Sequence, residues 1–134
     1  MSTVKPAISE EVLSDWHEMQ SAQTCSGLVL KIEPSRMVIT DKKLVTDNSD
    51  DLMFALEEND CRFALWRYPG TTKIFFIFWS PYTAKVRSKM IYNSACQGLK
   101  SLFTHDVYIQ ATDSSELSEE SLRVLVDLPS SDEE

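Results

Sequence analysis

The sequence predicts an α+β domain, a single mixed sheet of about five strands covered by helices, and three observations carry that reading. The first is Ile74-Phe75-Phe76-Ile77-Phe78-Trp79, an unbroken apolar run of β-branched and aromatic residues that reads as a strand buried on both faces. The second is the periodicity that begins near Thr83, after Ser80-Pro81 breaks the run. At about 100° per residue, Ile91, Tyr92, Ala95, Leu99, Leu102 and Phe103 share one face of a long helix. The third is the alternation of short strand-like and helix-like segments along the rest of the chain, in the order αββαββαβα.

Taken in order, residues 1–7 read as flexible, closed by Pro6. A helix then starts on Ser9 as cap, with Glu10 and Glu11 at its positive end and Ile8 placed to staple against Leu13. Val12, Trp16 and Met19 form its inward stripe; His17 lies off that stripe, at the surface. Leu28–Ile32 and Met37–Thr40 read as a hairpin turned at Glu33-Pro34-Ser35-Arg36, followed by a polar loop over 41–48. Asp50 and Asp51 suit the first turn of a short helix from Ser49 to Leu56. Cys61–Tyr68 and Lys73–Trp79 are strands whose tight Pro69-Gly70-Thr71-Thr72 connection makes them antiparallel. Val107–Gln110 follows the long helix as a final strand, and a helical crossover allows it to lie parallel to its neighbour. A last helix runs from its cap Ser118 to about Leu128, with Leu117 and Leu122 as a staple, and 129–134 forms an acidic tail. The expected organisation is one domain over 8–128 between two flexible ends.

The chain carries a net charge of -8, yet the stretch from Lys73 to Lys100 holds five basic residues and no acid. A local basic surface on an acidic protein points to a specific acidic partner rather than to nucleic acid. On the polar face of the long helix lie Lys89, Asn93, Cys96, Gln97, Lys100 and Ser101, and Val86 and Met90 fall among them. A Met beside Lys89 and near Arg87 is an exposed apolar anchor of the kind a protein partner buries.

Catalytic chemistry finds no foothold. Three glycines leave no phosphate-cradling loop, two distant histidines and scattered acids form no triad or dyad, and no His/Cys cluster suggests a metal. Cys96 has Lys89 and Lys100 near enough on the helix to activate it, but it reads as an ordinary thiol on a helix face. Cys25, Cys61 and Cys96 are read as free thiols in a reducing cytoplasm. No apolar run approaches the ~20 residues of a membrane span. The expectation is a monomeric binding module with no catalytic residue, cofactor or metal.

The stretch Trp79-Ser80-Pro81 followed by Val86-Arg87-Ser88-Lys89-Met90-Ile91-Tyr92-Asn93-Ser94 resembles the actin-depolymerizing factor/cofilin family. Looser matches at Asn59-Asp60-Cys61-Arg62-Phe63 and Gln110-Ala111-Thr112-Asp113 extend the resemblance over most of the chain. It implies the actin-depolymerizing factor homology fold, a mostly antiparallel mixed sheet between two helix pairs, and a cytoplasmic protein of the actin cytoskeleton. By matching positions it implies an actin-binding site of Val86, Arg87, Lys89 and Met90, with Ser94, Lys100, Gln110, Thr112 and Asp113 as further contacts. Glia maturation factor shares the fold but acts on the actin-branching complex and lacks the basic pair before the Met; Arg87 and Lys89 favour actin. A phosphoinositide or acidic-peptide adaptor using the same basic face is the other reading.

Departures from the family pattern bear on the activity. Cys96 stands where a Lys is frequent, and Val4 aligns with the regulatory Ser, with Ser2 and Thr3 nearby. The filament-side hairpin shrinks to Pro69–Thr72, leaving Lys73, and the last helix offers Val124, Leu125 and Leu128, expected to turn into the core, with Arg123 nearby. Lys73 and Arg123 are the candidate filament contacts, and monomer binding is expected to outlast filament binding.

Overall fold

The computed structural model describes residues 7–21, 25–45 and 48–126. The expectations for the N-terminal segment up to Pro6, for Leu128 and for the tail lie outside the described residues. The elements are β1 (Ala7–Ile8), α1 (Glu10–Ser21), β2 (Gly27–Ile32), β3 (Met37–Leu44), α2 (Ser49–Ala55), β4 (Arg62–Arg67), β5 (Ile74–Trp79), α3 (Val86–Leu102), β6 (Val107–Ala111) and α4 (Glu119–Val126), with a 3₁₀ turn at Ser114–Leu117 before α4. The sheet order is β1-β3-β2-β4-β5-β6. The four central strands are antiparallel, and β1 and β6 add in parallel at the two edges.

Each face of this sheet carries its own core. Leu28, Leu30, Phe63, Leu65, Phe76 and Phe78 point to the side covered by Val12 and Met19 of α1 and Tyr92 and Leu99 of α3. Val29, Ala64, Trp66, Phe75 and Ile77 point to the side covered by Leu52 of α2 and Leu122 and Val126 of α4. Because successive strand residues alternate between two buried faces, β5 and the Phe63–Trp66 centre of β4 are apolar without a break.

Caps set the helix starts. Ser9 Oγ accepts from Val12 N at 3.2 Å and Ser118 Oγ from Ser121 N at 3.2 Å, as expected. For α2 the cap is Asn48, whose Oδ1 accepts from Asp50 N at 2.8 Å. Tyr68-Pro69-Gly70-Thr71 closes with Thr71 N on the Tyr68 carbonyl at 3.1 Å, and Gly70 takes φ 78°. Pro at the second position and a positive φ at the third make this a type II turn.

The fold departs from the expected one in three places. It has six strands, because Ala7–Ile8 pairs in parallel with Met37 and Val38. Two residues hold no periodicity; this strand exists only because β3 is there to pair with. Residues 41–44 belong to β3 and not to a loop. Their polar side chains have partners in the fold: Asp41 meets Arg62, Lys42 donates to the Ala55 carbonyl and Lys43 meets Glu18. On α3 the buried line is Tyr92, Cys96 and Leu99, so Cys96 is buried and Leu102 exposed, the reverse of the expected faces. Cys96 lies only about 40° from Tyr92 around the helix, whereas Leu102 lies about 80° away on the other flank.

At Gly27 on β2 there is no room for a side chain. A Cβ there would stand 2.9 Å from the Leu65 carbonyl oxygen and 3.0 Å from Trp66 Cδ1. A backbone oxygen in the middle of a paired strand has no room to retreat. Gly27→Ala is expected to cost about 1–3 kcal/mol, read as a lower urea midpoint with unchanged slope.

Candidate functional site

Two part-buried attachments place α3. Ser88 Oγ donates to Asp60 Oδ1 at 2.6 Å, and Asp60 also accepts from Cys61 N at 2.8 Å and from Arg62 Nη1 at 3.0 Å. Arg62, itself buried, places Nε 3.0 Å from Asp41 on β3. Burial alone would raise the Asp60 pKa; the Ser88 hydroxyl, the Arg62 guanidinium and the Cys61 N–H together outweigh it and hold the carboxyl below its ordinary range. One turn further along, Tyr92 Oη accepts from Ile32 N at 2.8 Å, and burial pushes that phenol upward. The helix start is thus tied to β2, β3 and β4 by its inner face, which fixes what its outer face presents.

That outer face is apolar at its tip. Val86 is 71% exposed and Met90 67%, four residues apart and so stacked on one side of the helix. Arg87 is exposed and makes no ion pair among the described residues; Lys89 is half-buried and donates to the Tyr82 carbonyl at 3.1 Å. The first turn of α3 contains no acid and its N-cap, Lys85, makes no side-chain cap bond, so the positive end of the helix dipole adds to these cations.

The other expected residues divide. Ser80 N donates to the Ala111 carbonyl at 2.9 Å, which brings Thr112 and Asp113 to the sheet end from which α3 starts. There they form a capping box with Glu116, whose Oε1 accepts from Thr112 N at 2.7 Å and Asp113 N at 2.9 Å. Gln110 is exposed on β6, level with Phe78. Ser94 is exposed and donates to the Ile91 carbonyl at 2.9 Å. Lys100 lies away from the basic tip: its Nζ sits 3.8 Å from the centroid of the Tyr108 ring, a cation–π contact about 16 Å along the helix from Lys89. Cys96 is no nucleophile candidate, since burial pushes its thiol up despite Tyr108 and Lys100 nearby.

At the opposite end of the sheet, Lys73 Nζ donates to the Val126 carbonyl at 2.8 Å, on the last described turn of α4. Arg123 is exposed beside Tyr68, whose hydroxyl donates to Glu119 at 2.8 Å. Val124 does not turn into the core: it is 60% exposed, and Leu125 is half-buried. The buried stripe of α4 runs through Leu122 and Val126, and Val124 lies about 200° around the helix from Leu122.

Two basic residues, Arg36 and Lys31, are not marked by the sequence as part of this surface. Arg36 closes the β2–β3 turn with φ 74°, and with Lys31, Lys85 and Arg87 it lines a groove of about 780 Å³ beside the α3 start. The turn itself is legible in Pro34-Ser35, but its distance from α3 is not. A left-handed conformation costs a non-glycine residue about 1–2 kcal/mol, part of which glycine returns through its freer unfolded state. Arg36→Gly is therefore expected to raise stability by up to about 1 kcal/mol, checked by thermal unfolding.

Among the described residues no group of His, Cys, Asp and Glu is placed to hold a metal, and no helix is long and apolar enough to cross a membrane. Fold and exposed helix tip together define an actin-depolymerizing factor homology domain. Residues 6–126 match the family described as cofilin/tropomyosin-type actin-binding protein. Actin-depolymerizing factor 2 of Oryza sativa subsp. japonica is 33% identical over 126 residues, which span 87% of each chain. The cofilin structure from Streptomyces griseoflavus superposes with a TM-score of 0.81 at 24% identity, over 88% of this chain and 96% of that one. Glia maturation factor from Caenorhabditis elegans does so with 0.75 at 18% identity, over 92% and 97%; at such identities the likeness is one of fold alone. The chain belongs to the actin-depolymerizing factor/cofilin family of actin-binding proteins.

Proposed function

We propose that this protein is a binding module without enzymatic activity that engages one actin monomer through the start of α3 and promotes filament disassembly and turnover. The observation that carries the reading is the α3 tip, where Val86 and Met90 stand exposed between Arg87 and Lys89 on a helix otherwise anchored to the core. Apolar side chains enter a cleft on the partner while the cations meet acidic groups at its rim, the division of labour of a hot spot and its surround. The domain works as a monomer in the cytoplasm, on the cytoskeleton, with residues 1–6 and 129–134 as flanks of the folded unit. Arg87 and Lys89 favour actin itself over the branching complex that glia maturation factor regulates.

Filament binding is the weaker activity. It requires two actin subunits to be touched at once, and a bivalent contact gains only when both surfaces work. Support for a weak second surface comes from Lys73, engaged by Val126, and from Val124, an aliphatic side chain at the exposed face of α4. Arg123 remains as the exposed cation there. Sedimentation with preformed filaments, paired with a monomer-binding titration, tests the balance. Substoichiometric pelleting with a raised unpolymerised pool is expected; stoichiometric decoration without that rise overturns the monomer-centred reading. Binding to anionic phosphoinositide vesicles at physiological salt, without actin binding, would establish the adaptor reading instead.

A further inference from the structure

On the other side of Tyr82 from the basic tip lies a second groove, of about 660 Å³, between the end of α2 and the segment that follows β6. Its apolar lining includes Leu56, Trp79 and Leu117, all buried. Two aromatic side chains stand out in it: Phe54 of α2, 81% exposed, and Tyr82, 75% exposed. Neither residue serves the core, which α2 meets through Leu52, Ala55 and the half-buried Met53. Exposed aromatic side chains flanking a concave apolar floor are the residue types that dominate protein interfaces energetically.

The walls are pre-formed. Trp79 Nε1 donates to the Glu57 carbonyl at 2.6 Å and Thr83 Oγ1 to the Glu58 carbonyl at 3.3 Å, which pins the loop after α2. The Glu116 capping box holds Thr112 and Asp113 on the far side. An occupant would not have to order these segments, which lowers the entropic cost of binding.

Charge selects the occupant. Glu57 and Glu58 are exposed and make no ion pair among the described residues, Asp113 is exposed, and no Lys or Arg lines the groove. Its sign is opposite to that of the Arg87–Lys89 tip a few residues away, so an acidic patch that suits the tip does not suit the groove. A second copy of this chain is disfavoured by its net charge of -8. We infer that the Phe54–Tyr82 groove docks a segment of a different protein that carries an apolar anchor flanked by Lys or Arg. This goes beyond actin binding, and because Thr112 and Asp113 on the far wall are also expected actin contacts, the docked segment and actin would compete for that wall.

The test is a selection of a phage-displayed random peptide library on the full chain, with the enriched peptides then titrated by fluorescence anisotropy. The expected result is a consensus with one or two large apolar residues flanked by basic ones. Phe54→Ser/Tyr82→Ser, changes at exposed positions, and Glu57→Lys/Glu58→Lys should each weaken the selected peptides about tenfold or more, while Arg87→Ala, at a residue outside the groove, leaves them unchanged. An acidic consensus, no enrichment, or peptides that bind the Phe54/Tyr82 variant as tightly as the parent would overturn the inference. Self-association or actin affinity lost in that variant, without peptide enrichment, would give the groove to a second copy or to actin and overturn it equally.

Discussion

Alanine at both Arg87 and Lys89 is expected to weaken actin-monomer binding by about 2–5 kcal/mol, the range for truncating charged groups paired across a desolvated interface. Arg87 is exposed and unpaired among the described residues, so its removal takes nothing from the fold. Lys89 loses one hydrogen bond to the Tyr82 carbonyl, at the surface. A bond of that kind contributes about 0.5–1.5 kcal/mol at most, so thermal unfolding should shift little while binding collapses. Titration of fluorescently labelled monomer measures it. Unaltered affinity in the double variant would sink the assignment of this surface.

Arg62→Ala should act in the opposite way, through stability. It removes the guanidinium from both Asp41 and Asp60, leaving Asp41 only Lys31 at 3.9 Å and Asp60 no cation among the described residues, beside a hole at the base of α3. Removing one member of a buried pair costs about 3–5 kcal/mol; because Asp60 is half in water and partly screened, about 3 kcal/mol is expected here. The pH dependence gives a second readout. Asp60 titrates below its ordinary 3.8 when folded, so its stabilising contribution is fully present above that value and is lost as pH falls through the folded pKa. In the variant the folded pKa moves back up, and the fall in stability on acidification becomes shallower. Urea denaturation at neutral pH and near pH 3 compares the two chains. An equally steep acid loss in both would show that Arg62 does not hold Asp60 down. Because Asp60 also receives Ser88, the variant should bind actin more weakly as well, through a displaced helix start.

Much of this molecule was legible without coordinates. The β5 run, the antiparallel β4–β5 pair across Pro69-Gly70, the parallel return of β6 and the caps at Ser9 and Ser118 are local or nearest-neighbour consequences of residue type, and each is present. So is the exposure of Val86 and Met90, since two apolar residues among lysines on a helix have no core to reach. Where the reading failed, a partner distant in sequence decided. β1 is a strand because Met37 and Val38 offer it an edge. Asp41, Lys42 and Lys43 extend β3 because Arg62, Ala55 and Glu18 neutralise their polarity. Cys96 is buried and Leu102 exposed because the sheet meets α3 along a line through Tyr92 and Leu99, an angle set by packing and not by the helix's own pattern.

The same division holds for the sites. Residue type and spacing determined that α3 carries a basic, apolar-tipped end, because those properties belong to one helix and its 3.6-residue repeat. Only the tertiary structure decided that Arg36 and Lys31 join Lys85 and Arg87 around one groove, and that Lys100 turns instead to Tyr108. It alone decided that Lys73 is engaged by the α4 backbone, and that Phe54 and Tyr82, 28 positions apart in the sequence, line one cleft. The physical reason is that a side chain's class fixes whether it can be buried, whereas its neighbours depend on strand order, and strand order is settled by the whole sheet at once.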